Sequence, residues 1–203
     1  MNVTADIALA SSSPRRTAIL SAAGVAFEVV APAIDDADLS TAGRDPARVT
    51  MALAWFKARQ SAAAVRARWG ASGPRFVVAA DTLCEREGAP VGKPLGAEDA
   101  RAMLRSLRGR PHRVHTGICI LDRTDGARRI FGDSATVALG DVADEELERY
   151  VRSGEWAGKS GGYNYADRAH AGWPLSCDGD PETVMGLPSR LVVEALRSMG
   201  WRA

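Results

Sequence analysis

The 203 residues are 46% apolar and 25% charged, a balance that builds a sizeable core and excludes a disordered or fibrous chain. Lys and Arg total 26 against 25 Asp and Glu, so the formal net charge is only +1. That near-neutrality argues against a dedicated nucleic-acid binder, and any positive site has to be local.

In chain order, the apolar run Ile7–Ala10 predicts a strand, and Ser11-Ser12-Ser13-Pro14-Arg15-Arg16 a loop that opens a helix carrying Ile19, Leu20 and Ala23. Proline is tolerated in a first helical turn, and the serines before it are expected to cap the unpaired backbone donors. A helix start with two arginines suits a phosphate, although an ordinary capped helix with solvated arginines fits the same residues. Phe27–Val30 predicts a second strand, with Asp35 and Asp36 just beyond it. Residues 46–69 predict a long helix with Val49, Leu53, Phe56 and Val65 at helical spacing. Lys57, inside that alanine-rich helix, reads on its own as a solvated surface lysine.

Phe76–Ala80 predicts a buried strand ending near Asp81 and Thr82, the place where ligand sites gather in α/β sheets. A carboxylate there can bind a divalent ion, take a proton from attacking water, or simply cap a turn. Gly92-Lys93-Pro94 sets a lysine between two conformationally special residues ahead of a helix predicted over 94–107, with Ala100, Met103, Leu104 and Leu107 in one stripe. Two extended runs, 114–121 and 130–139, flank a hairpin turn at Asp122–Ala127. His112 and His115 fall on opposite faces of the first run, which argues against joint metal ligation. A short helix is expected from Asp144, acting as its cap, to Val151, ending near Gly154. Glycines, aromatics and prolines from Gly154 to Gly186 read as loops, and His170 lacks a partner there at ligand spacing. A final helix runs over 188–199 with Leu191, Val192, Ala195, Leu196 and Met199 inward. The three cysteines, Cys84, Cys119 and Cys177, lie far apart without a Cys-x-x-Cys pair and are expected in the core of a protein from a reducing cytoplasm. No signal peptide is expected from the opening residues, and no run approaches the roughly 20 apolar residues that cross a bilayer. Without repeats or a separating linker, this predicts one soluble α/β domain over residues 1–203.

Five segments in order, Leu9 to Arg16, Ala80-Asp81-Thr82, Gly92-Lys93-Pro94, His115-Thr116-Gly117, and Gly158 to Tyr163 with Val184 to Pro188, resemble the Maf family of nucleoside triphosphate pyrophosphatases over nearly the whole chain. The resemblance implies a mixed twisted sheet flanked by helices, in two lobes with a central cleft. A phosphate and metal lobe would span about 1–94 and 172–203, and a lobe for base recognition and homodimer formation about 95–171. The implied reaction is hydrolysis between the α and β phosphates of a nucleoside triphosphate, with Mg or Mn, to give a monophosphate and pyrophosphate. Asp81, Lys57 and Lys93 would be catalytic. Ser11, Arg15, Arg16, Thr82, Lys159, Asn164 and Asp167 would bind substrate, and Asp36 with Asp81 would hold the metal. Fixed cations would offset the roughly four negative charges of a triphosphate and stabilise charge on the leaving pyrophosphate.

Two positions depart from the family pattern. Asp36 stands where glutamate is common, about one methylene shorter in reach. In Tyr163-Asn164-Tyr165-Ala166-Asp167 the family's Tyr-x-Ile-Gln-Gly is lost, and its specificity glutamine falls on Ala166. Either Asn164, Asp167 or Arg168 takes over, or the base specificity differs. The paired Arg15-Arg16 leans toward the branch that acts on dTTP and UTP, while modified nucleotides stay open as substrates. A phosphatase releasing orthophosphate, and a nucleotide-binding regulator of cell division without hydrolysis, are the alternatives.

Overall fold

The computed structural model describes residues 5–33 and 43–202. Seven strands, β1 (Ile7–Ala10), β2 (Phe27–Val29), β3 (Phe76–Arg86), β4 (Ala89–Val91), β5 (Arg110–Asp122), β6 (Arg128–Leu139) and β7 (Leu175–Asp178), form one mixed sheet in the order β2-β1-β3-β5-β6-β7, with β4 on β3. β1 runs parallel to β2 and β3, and the other pairings are antiparallel. The sheet passes unbroken across residue 94, because β5 pairs directly with β3 over ten residue pairs from Phe76↔Asp122 to Glu85↔Arg113.

Among the described residues seven helices accompany the sheet: α1 (Pro14–Ala22), α2 (Pro46–Trp69), α3 (Ala97–Leu107), α4 (Asp144–Ser153), α5 (Tyr165–His170), α6 (Pro181–Met185) and α7 (Ser189–Ser198). Strand alternation sorts the core. Ile7, Leu9, Phe76, Val78, Ala80, Ile118 and Ile120 pack on one face against Ile19 and Leu20 of α1 and Val192 and Leu196 of α7. Ala8, Ala10, Val77, Ala79, Cys119 and Leu121 pack on the other against Ala54, Ala58 and Val65 of α2. Burial on both faces explains why β1 and the first half of β3 read as continuous apolar runs. A third cluster joins Leu104 and Leu107 of α3, Leu147, Tyr150 and Val151 of α4, Tyr163 and Trp173. Among the described residues no helix is long and apolar enough to cross a membrane.

Several elements differ from expectation for identifiable reasons. β3 does not end at Ala80. Its parallel partner β1 stops at the Ala10↔Ala79 pair, but β5 carries the ladder on to Glu85, so Asp81 sits in mid-strand just past the end of β1. Asp144 does not cap α4. Ala143 holds the cap position without a side-chain bond, and the Asp144 carboxylate accepts from Arg108 Nη1 at 2.6 Å. The stretch after Gly154 is more ordered than loops. Asn164 and Asp180 accept from Ala166 N and Glu182 N to start α5 and α6, and β7 pairs with β6. Cys84 and Cys119 are buried, and burial pushes both thiols up to about 12. Cys177 is partly exposed because it lies on β7, the outermost strand beside β6.

His112 stands 3% exposed in the third cluster, with Nε2 2.8 Å from the Tyr163 hydroxyl. Burial holds its pKa down to about 4, so the folded chain keeps it neutral where the unfolded chain protonates it near the ordinary value of 6.5. Folding stability that is complete above pH 6.5 is therefore expected to fall, on the order of 2 kcal/mol, as pH drops toward 4. Thermal midpoints of the wild type and His112→Gln across this window check it: the variant should lose most of the slope.

Candidate active site

The site is built where β1 ends. Ser11, 3% exposed, turns back on the strand with its N–H on Leu9 O at 3.0 Å. Its hydroxyl accepts from Ser13 N at 3.1 Å, so the loop closes on itself. Ser13 occupies the cap position of α1 but gives no side-chain capping bond, while its own amide is held by Ser11. Arg15 is exposed, whereas Arg16 is half-buried.

Beside this loop lies a charged pair. Lys57 Nζ donates to Asp81 Oδ1 at 2.5 Å, with the two side chains 12% and 7% exposed. The lysine that reads as solvated in an alanine-rich helix is in fact turned onto the sheet. What allows this is Gly117, cross-strand from Asp81. A Cβ on Gly117 would fall 2.3 Å from Met51 N and from Thr50 C, so the α2 backbone rests directly on β5 there. With small Ala54 and Ala58 also packed against the sheet, α2 lies close enough for a four-carbon stem to reach a short aspartate.

Thr82 follows on the opposite face of β3. Its hydroxyl accepts from Arg16 Nη2 at 3.0 Å and lies 2.8 Å from Thr116 Oγ1. Arg16 also donates to Ala80 O and Gly186 O, both at 2.8 Å. Lys93 is exposed just past β4, and the strand end before it is clamped: Gly161 N donates to Gly92 O at 3.0 Å and Ser160 Oγ to Val91 O at 2.8 Å. Lys159 lies immediately before the clamping Ser160. Lys159 donates to the Glu155 carbonyl, and burial lowers its pKa against the opposing pull of Asp167 and Glu155, with Arg15 near enough to lower it further.

At α5 the residues nominated to replace the missing glutamine are engaged. Asn164, 7% exposed, accepts from Ala166 N at 3.1 Å and donates to Asp167 Oδ2 at 2.5 Å. Arg168 is stacked on Tyr150 and Trp173 at 4.7 and 5.7 Å and donates to Glu155 at 2.8 Å. Asp167 remains exposed. Asp36 lies outside the described residues.

Sequence reasoning passed over the roles of Gly117, Thr116, Thr183 and Gly186, although three of them lie in the quoted motif segments. It also gave no role to a buried group on the Asp81 face, where His115 lies 2.6 Å from Glu85 Oε2 and 2.7 Å from Ser134 Oγ. Only cross-strand register could have found that group, since its members are 30 and 19 residues apart.

A profile described as Maf-like protein matches residues 6–199. The dTTP/UTP pyrophosphatase of Geotalea uraniireducens is 38% identical over 200 residues, 98% of each chain. That of Pelotomaculum thermopropionicum is 33% identical over 196 residues, 97% of each chain, and that of Burkholderia pseudomallei 39% over 184, covering 89% of this chain and 87% of its own.

A methyl group at residue 117 has to lift α2 off the sheet. Gly117→Ala is therefore expected to cost about 3 kcal/mol or more, beyond ordinary overpacking, because backbone is what it meets. A denaturant midpoint unchanged from wild type would show that α2 does not rest there.

Proposed function

This chain belongs to the Maf-like protein family, and on that footing we propose that it hydrolyses nucleoside triphosphates between the α and β phosphates, releasing a monophosphate and pyrophosphate. The observation that carries the reading is the enclosed Lys57–Asp81 pair, set just beyond the end of β1 where the Ser11–Arg16 loop begins. Phosphoryl chemistry asks a protein mainly for positioning and for fixed positive charge at the phosphates. Arg15, Lys93 and Lys159 are exposed or half-exposed cations that this reading turns to the phosphates. Lys57 keeps the Asp81 carboxylate oriented through a charge-assisted hydrogen bond. Asp81 then accepts a proton from the attacking water, and the cations take up charge as it moves onto the leaving pyrophosphate.

Asp81 also fits a Mg or Mn ion, and Asp36 joins it in this reading. Among the described residues no three or more His, Cys, Asp or Glu side chains gather into a metal cage. Magnesium commonly takes one or two carboxylates and completes its shell with substrate phosphate oxygens, which suits so sparse a donor set. Such a cation supplies neutralising charge on the phosphates and a more acidic water. The relatives' printed names make dTTP and UTP the first substrates to try. Ala166 offers no side-chain hydrogen bond and Asn164 spends both ends of its amide at the start of α5, so this reading gives the base to Asp167, which is exposed while accepting from Asn164. A cytoplasmic homodimer belongs to the same reading.

The test is a panel of canonical and modified nucleoside triphosphates with Mg or Mn, scoring pyrophosphate and orthophosphate separately. Pyrophosphate is expected, lost on chelation and restored by adding back the metal. Asp81→Asn should lower the rate by about a thousandfold, the range of a positioned general base. Orthophosphate as the product would replace this reading with a phosphatase. Binding without turnover, indifferent to Asp81→Asn, would replace it with a regulator.

A further inference from the structure

The two arginines of the loop are neighbours in sequence but stand differently in the fold. Arg15 is exposed and close enough to Lys159 and Tyr150 to influence both electrostatically. Arg16 turns its guanidinium onto the protein: Nε donates to Gly186 O, Nη1 to Ala80 O and Nη2 to Thr82 Oγ1, at 2.8, 2.8 and 3.0 Å. Its guanidinium is also walled in, since a Cβ on Gly186 (φ +97°) would come within 3.0 Å of Nε and 2.9 Å of Thr82 Oγ1.

The side of the sheet matters as much as these bonds. Thr82 lies opposite Thr116 in register and continues the Ala80 and Ile118 face, which packs on α1 and α7. Asp81 lies opposite Gly117 and continues the face covered by α2. Arg16 therefore grips the back of β3 while Asp81 and Lys57 occupy the front. Ala80 O belongs to the peptide that leads into Asp81, and Thr82 is the next residue, so the guanidinium brackets Asp81 from both sides along the strand.

Behind Thr82 the bonds have one consistent direction. Thr116, fully buried, donates its single hydroxyl proton to Thr183 O at 2.7 Å. It can only accept from Thr82, which in turn accepts from Arg16. Thr183 Oγ1 donates onward to Asp133. Each hydroxyl is held in one rotamer, and the planar fork of Arg16 is held with them.

We propose that Arg16 is a positioning residue that fixes the Asp81 peptide from behind the strand, and that Arg15 is the arginine of the pair that meets the phosphates. The inference rests on the pyrophosphatase reading of the site. An ammonium cannot span three divergent acceptors. Arg16→Lys thus keeps the charge and removes the grip, which separates the two roles.

The experiment measures kcat and KM for the best triphosphate, and inhibition by inorganic pyrophosphate, in the wild type and in Arg15→Ala, Arg16→Lys, Thr116→Val and Thr116→Ser. Arg15→Ala should raise KM and the pyrophosphate inhibition constant together by about tenfold, as loss of a phosphate ligand does. Arg16→Lys and Thr116→Val should lower kcat by about tenfold and leave the inhibition constant within about twofold, with Thr116→Ser restoring kcat. Weakened pyrophosphate inhibition in Arg16→Lys, matching Arg15→Ala, would overturn the proposal, as would an unchanged kcat in Thr116→Val. If Arg16→Lys fails to fold, the two Thr116 variants decide. If the wild type releases no pyrophosphate from any triphosphate, the functional reading fails by itself. Calorimetric binding of pyrophosphate then still discriminates, because only Arg15→Ala should weaken it.

Discussion

An ammonium and a carboxylate withdrawn together from water lose hydration that their attraction repays only when the geometry is good, and leaving either one alone is worse. The Lys57–Asp81 contact is such a pair, and much of the fold can be understood as the means of making it. It needs a helix pressed onto a sheet without side chains between their backbones at one point, which is what Gly117 provides opposite Asp81. It needs small residues along the same helix face, met by Ala54 and Ala58. It also needs a strand that continues past its parallel neighbour, so that the carboxylate emerges beside the turn into α1 instead of under β1.

β3 is accordingly a strand with two jobs. Its first half is ordinary core, apolar on both faces. Beyond Ala79 one face carries a charged pair and the other a row of hydroxyls. Polar groups this deep are stable only when every one is matched, and the run from Arg16 through Thr82, Thr116 and Thr183 is matched at each step. An apolar filling would have served the core as well. The polar row instead ties the strand to the loop after β1 and to the turn at Gly186, giving Asp81 a rigid backing.

Much of this was legible in the chain. The apolar runs at residues 7 and 76, the long helix over 46–69 and the hairpin at Asp125-Gly126 announce themselves because their signals are local. Lys57 shows where local reading stops: an alanine-rich helix looks solvent-facing, and only the absence of a side chain 60 residues later turns that face inward. The end of β3 is hidden for a related reason. Asp81 and Thr82 break an apolar run, but strand length is set by the partner, and β5 stays paired with β3 as far as Glu85↔Arg113. Asn164 was nominated for base contact because it is polar. Whether an asparagine caps a helix or faces a ligand depends on the conformation of the next three residues, which composition does not reveal.

The grip of Arg16 on Gly186 joins positions 170 residues apart. A chain growing from its N-terminus therefore has the loop, α2 and β3 in hand long before the turn that completes the backing exists. Pairings so distant in sequence close late and slowly. Most of the core can assemble while the stretch of β3 around Asp81 still lacks its backing, and the turn at Gly186 completes that backing last.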